Sequence, residues 1–214
     1  MNDQTICCGD KLALGALQQS GGTAAGFQLL RRALAGLLIM LWAATACAEK
    51  DRDVDVTVQV DGDTVHVDVA FAVKASPQEV WAVITDFEHM AQFISNLTSS
   101  QVLSRNGNVV IATQKGKASV GPLSFEFDSV RELRLTPFEE IRTRMVSGNM
   151  KSFESVTRLH ADGSATRFDY HSVAVPGTWI PPVIGRNFIE AETREQFGEM
   201  RREILRRNHA VVKP

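Results

Sequence analysis

Residues 182–208 read PVIGRNFIEAETREQFGEMRREILRRN, and the fold turns on them. Ile189, Thr193, Phe197, Met200 and Ile204 recur at steps of four, four, three and four. That spacing lines one stripe of an α-helix. Ile184, Phe188 and Ala191 make a second apolar patch beside the first turns. Arg201, Arg202, Arg206 and Arg207 fall in the last turns, where positive charge suits the negative end of the helix dipole. They read as a solvated helix end before they read as a binding patch. A stripe of this length has to be buried, so the preceding chain must supply a large apolar face.

That chain is rich in period-2 alternation. Val54, Val56, Val58 and Val60, then Val65, Val67, Val69, Phe71 and Val73, flank Asp61-Gly62-Asp63 and predict a long β-hairpin with one buried face. His66 and Asp68 lie on its polar side. Ser76-Pro77-Gln78-Glu79 opens a helix: Ser76 is a good N-cap, Pro77 suits the first turn, and Glu79 completes a capping box. Val80, Trp81, Val83, Ile84 and Phe87 give it an apolar face, and a second short helix is expected over about 89–93. From about Asn96 to Val175, turns at Asn106-Gly107, Gly121-Pro122, Thr136-Pro137, Gly148-Asn149 and Asp162-Gly163 divide about six more strands. The order predicts an α+β helix-grip: a curved antiparallel sheet wrapped around a long C-terminal helix, with two short helices after the first hairpin and a cavity between sheet and helix.

Ser76-Pro77-Gln78-Glu79-Val80-Trp81 with Thr85-Asp86-Phe87, Gly148-Asn149-Met150-Lys151 ahead of a strand, and Trp179-Ile180-Pro181-Pro182 with its helix resemble the START-like (SRPBCC) superfamily. The likeness is to its polyketide cyclase/dehydrase and coenzyme Q-binding branch. The resemblance covers about residues 53–207. It implies a cavity for a hydrophobic small molecule, of the lipid or isoprenoid quinone class. The superfamily hosts binders, transporters and enzymes alike, so the fold alone does not choose among them.

Composition and motifs narrow the chemistry. The chain has 214 residues, 44% of them hydrophobic, and a formal net charge of -2. This is an ordinary globular composition without the basic excess that nucleic-acid binding needs. The three cysteines are Cys7, Cys8 and Cys47. Residues beyond them therefore offer no disulfide, Cys-ligated zinc or thiol nucleophile. His66, His89, His160, His171 and His209 show no metal-ligand spacing. Nucleotide-binding and hydrolase motifs are absent. No metal site, cofactor or catalytic residue is assigned.

Strand parity nominates the ligand contacts. Phe125, Phe127, Met145, Phe153, Phe168 and Tyr170 should face the helix, with Phe188 and Ile189 opposite. Most are core by default, and a minority should line an open cavity. Tyr170 stands out because a buried hydroxyl needs a partner, and a ligand carbonyl would serve. Glu126, Asp128, Arg142, Arg144, Glu154, Arg167 and Asp169 read as a solvent-face charge ladder, and Asp169 and His171 share a face. A non-enzymatic binder leads. The rival is a cyclase/dehydratase-type enzyme on a polyketide-like substrate, which inward ionisable groups would favour and a purely apolar pocket would disfavour. A third reading is a protein-interaction module using the arginine-bearing helix end or the loop around 178–182. Trp179 in the Pro176–Pro182 connection reads evenly as a core plug or as the cavity's gate. A passing membrane contact fits a lipid ligand.

Residues 1–48 read as a signal peptide with a long n-region. Arg31-Arg32 precedes an apolar run from Ala33 to Ala44, too short to span a hydrocarbon core of about 30 Å. Ala46-Cys47-Ala48 then offers a cleavage site before Glu49, favoured over a buried core helix and over a twin-arginine signal. The expected product is a periplasmic or secreted domain over 49–214. The lesser alternative is a lipoprotein anchored at Cys47.

Overall fold

The computed structural model describes residues 53–120, 123–177 and 182–211. Strands β1 (Asp55–Asp61) and β2 (Thr64–Val73) form the predicted hairpin, followed by α1 (Pro77–Ile84) and a 3₁₀ turn at Met90–Gln92. Six strands come next: β3 (Leu97–Asn106), β4 (Val109–Val120), β5 (Leu123–Thr136), β6 (Glu140–Gly148), β7 (Ser152–Asp162) and β8 (Ala165–Val175). Helix α2 (Pro182–Val211) ends the described chain. The strands build one curved, unclosed antiparallel sheet in the order β1-β2-β8-β7-β6-β5-β4-β3. The helix-grip expectation holds, with the second short helix reduced to the 3₁₀ turn.

Local chemistry explains the elements. The Ser76 hydroxyl accepts from Glu79 N at 3.3 Å, and the Glu79 carboxylate accepts from Ser76 N at 2.7 Å. The capping box thus starts α1 three residues after β2. Gly107 has φ of 56°, the left-handed backbone that the two-residue Gly107-Asn108 hairpin loop requires. Alternation holds in β1 through Val58, which is fully buried. Val60, at the hairpin tip, is 51% exposed because nothing packs on it there.

The sheet's two faces separate cleanly. On the solvent face Glu132 bonds Arg144 and Arg134, Glu140 bonds Arg142 and Arg158, and Asp169 bonds Arg167. The expected charge ladder is present, with Glu132 and Glu140 as its hubs. Hydrogen bonds from Arg144 and Arg134 hold the Glu132 carboxyl down at about 2. His171 is oriented by Asp68 at 2.7 Å rather than by Asp169. The opposite face carries the core, where Phe168 stacks on Phe71 with centroids 4.5 Å apart and meets Phe197 of α2 at 5.6 Å.

Helix α2 is fastened over its second half. Phe197, Met200 and Ile204 are buried against the sheet. Polar ties reinforce them: Arg201 reaches Asp53 at 2.9 Å, Asn208 donates to Lys74 O at 2.8 Å, and Arg207 pairs with Asp86 at 2.8 Å. Glu203 is buried beneath Arg206 and Arg207, at 2.6 and 2.7 Å. The arginines expected to be a solvated helix end are therefore largely struts. Arg206 and Arg207 bond a buried carboxylate, and Arg201 and Arg207 reach other elements.

Hydrogen bonding by Arg206, with burial opposing and Arg207 assisting, holds the Glu203 carboxyl at about 2, below its ordinary 4.5. A carboxyl depressed on folding contributes stability that is fully present above about 4.5 and is lost as pH falls toward 2. Glu203→Gln should lower stability at pH 7 and flatten the acid limb across that window. Urea unfolding at stepped pH measures both, and parallel curves for the two proteins would refute the assignment.

Candidate functional site

The first half of α2 stands over a cavity of about 380 Å³ in the concave face. Its volume lies at the lower end of the roughly 300–1,000 Å³ typical of small-molecule sites. The inward parity of each strand supplies the wall: Phe127, Arg131 and Leu133 from β5, Thr143 from β6, Phe153 and Ser155 from β7, Phe168, Tyr170 and Ser172 from β8. Ile189, Thr193 and Gln196 of α2 close the other side, with Phe197 at the junction with the core.

Five of the nine residues nominated from sequence reach this wall: Phe127, Phe153, Phe168, Tyr170 and Ile189. Phe168 serves mainly as core, at 1% exposure. Phe125 and Phe188 do not line the cavity and instead face each other, 5.5 Å between ring centroids. Met145 stands opposite Arg131 in the β5–β6 register and is also off the wall. Next to it, the register shift leaves Val146 54% exposed. Trp179, and the gate reading with it, lies outside the described residues.

The wall is less apolar than those side chains suggest. Thr143, Ser155 and Ser172 stand directly opposite one another on β6, β7 and β8, a row of hydroxyls across the floor. Tyr170 hydrogen-bonds Ser172 and Ser155, yet burial pushes its hydroxyl pKa up, so it remains a neutral donor. Gln114 donates to Ser100 Oγ and Met90 Sδ, both at 3.2 Å. Asn96 Oδ1 is buried without a hydrogen-bond partner.

Arg131 is the residue that sequence reading missed. Its Nε donates to Ser129 Oγ at 2.9 Å, and its guanidinium carbon lies 4.6 Å from the Phe153 ring centroid. Burial pushes its pKa down, opposed only by the Tyr170 hydroxyl. A guanidinium nevertheless keeps its proton in proteins. The signal was available: Phe125, Phe127, Ser129, Arg131, Leu133 and Leu135 are one unbroken parity of β5. Among the described residues no group of His, Cys, Asp and Glu could hold a metal ion.

The fold and site define a helix-grip protein with an internal ligand cavity. The chain belongs to the polyketide cyclase/dehydrase and lipid transport family, whose model matches residues 73–201. Among solved structures it is similar to a STAR-related lipid transfer protein from Xanthomonas axonopodis, at 15% identity and TM-score 0.62, covering 74% of this chain and 97% of that one. It is also similar to the Zhui aromatase/cyclase from Streptomyces sp. R1128, at 15% identity and TM-score 0.60, covering 71% and 99%. Human StAR-related lipid transfer protein 5 aligns at 10% identity and TM-score 0.58, covering 84% and 97%. No curated protein matches the sequence.

Gly116 of β4 sets how closely Phe127 packs. A Cβ there would overlap both the Phe127 ring and the Asn96 backbone carbonyl. Gly116→Ala should displace that ring and cost about 1–3 kcal/mol through overpacking. Thermal or urea unfolding checks this; an unchanged midpoint would show that the wall yields freely.

Proposed function

We propose that the protein is a non-enzymatic binder that holds one hydrophobic small molecule, of the lipid or isoprenoid quinone class, between its sheet and the first half of α2. The observation that carries this reading is the make-up of the cavity wall. It is a half-open, mainly carbon surface whose ionisable groups, among the described residues, are Arg131 and Tyr170. General acid–base catalysis near neutral pH needs a group whose pKa lies close to that pH. Arg131 stays cationic and Tyr170 stays protonated, while among the described residues no carboxylate or imidazole lines the space. Family membership and the lipid-transfer neighbours agree with this function.

The test is binding of the neutral apolar probe N-phenyl-1-naphthylamine, with native mass spectrometry of the protein as isolated. Ile189→Trp fills the cavity from α2 and should weaken the probe about tenfold or more while the melting temperature changes little. A protein that is ligand-free as isolated and never takes up the probe would sink the proposal.

The same two groups give the cyclase/dehydratase reading its one specific support, since a cation and a phenol can polarise a carbonyl. Incubation with a poly-β-carbonyl thioester decides it. Cyclised product that is formed by the wild type and lost in Tyr170→Phe would make the protein an enzyme.

We propose also that the domain works in the periplasm or outside the cell, after cleavage between Ala48 and Glu49. The support is the Arg31-Arg32 pair, the apolar run behind it and the Ala46-Cys47-Ala48 site. N-terminal sequencing of the exported protein should begin at Glu49, whereas a lipid-modified Cys47 would replace release with tethering.

A further inference from the structure

We infer that the ligand of this cavity is a single-chain amphiphile with an ionised carboxylate, and that Arg131 holds the carboxylate. This rests on the hydrophobic-ligand reading above and narrows it. Holding a cation out of water without a counter-ion is unfavourable even after relaxation. Arg131 has no such partner: among the described residues no carboxylate pairs with it, and the ionisable group acting on it is the neutral hydroxyl of Tyr170.

The contacts it does make hold it in place without neutralising it. The bond from Nε to Ser129 and the stacking on Phe153 fix the plane of the guanidinium. The two terminal nitrogens, with four N–H groups, have no hydrogen-bond partner among the described residues, on a side chain that lines the cavity. A planar fork presented this way matches the two oxygens of a carboxylate. Tyr170, Ser155 and Ser172 add neutral donors nearby. A neutral quinone or ester carbonyl would accept a hydrogen bond there but leave the charge uncompensated.

Volume restricts the other end of the ligand. Water occupies about 30 Å³ in the liquid, and a methylene is of similar size, so 380 Å³ holds roughly a dozen such groups. One alkyl chain matches that space, with its end able to reach beyond the half-open cavity.

The experiment compares palmitate with methyl palmitate, which keeps the tail and loses the charge, as displacers of N-phenyl-1-naphthylamine at pH 8. Wild type should favour palmitate about tenfold or more. Arg131→Gln should weaken palmitate by a similar factor, leave methyl palmitate within about twofold and so erase the preference. Arg131→Lys should retain part of it. Should Arg131→Gln fail to fold, the wild-type and Arg131→Lys ratios decide. Equal potency of acid and ester in the wild type overturns this inference and leaves the hydrophobic-ligand reading standing. Failure of the probe and both lipids to bind the wild type overturns that reading and this inference together. Hexadecyl phosphate binding more tightly than palmitate overturns the carboxylate assignment in favour of a phosphate head.

Discussion

Everything distinctive about this molecule follows from the unequal fastening of its C-terminal helix. Phe197, Met200 and Ile204 enter the core, and Arg201, Arg207 and Asn208 tie the same half to Asp53, Asp86 and Lys74. The first half has half-buried Ile189 and Thr193 on the inward stripe instead, above open space. A helix buried along its whole stripe would fill the concavity and leave a solid core. Buried along its second half and held more sparsely along its first, by Phe188 against Phe125 and by Arg194 on Val54 O, it makes a roof.

The roof gives meaning to the two kinds of polar group in the structure. Charges on the outer face are paired at short range in water, where each pair adds little stability. The inner face has few polar groups, and each bears on the contents of the cavity. A buried tyrosine bonds the row of hydroxyls, and an arginine carries charge that no carboxylate pairs with among the described residues. The outer ladder follows the register of β5, β6 and β7, with Glu132 opposite Arg144 and Glu140 opposite Arg158. That register brings Thr143, Ser155 and Ser172 opposite one another inside.

Much of the fold was legible because its determinants are local. The Asp61-Gly62 and Asn106-Gly107 turns, the Ser76–Glu79 capping box and the Ile189–Ile204 stripe each act within a few residues, and each appears where its residues imply. The site was half legible. Parity told which side of a strand Phe127, Phe153 and Tyr170 face, but not how far along the strand the cavity extends, so Phe125 and Met145 looked equivalent to them. Cavity position depends on where α2 lifts from the sheet, a tertiary property. Arg131 escaped because an arginine between glutamate and valine reads as surface, although β5 continues its inward parity through it. The roles of Arg201 and Arg207 required knowing that Asp53 and Asp86 lie beside the helix, more than a hundred residues away along the chain.

The strand order has a kinetic side. Strand β2 finds its second neighbour in β8, about 100 residues later, with Val65 opposite Ala174 and Val73 opposite Thr166. Until β8 is available, the N-terminal hairpin has an open edge and an apolar face with nothing to cover it. The β3–β7 meander can assemble from neighbours alone, but joining it to the hairpin requires closure of a long loop, an entropic cost paid before any contact across the seam rewards it. The β2–β8 seam therefore depends on the longest-range pairing in the sheet, and a chain stalled before β8 exposes an edge from which intermolecular strand pairing can start.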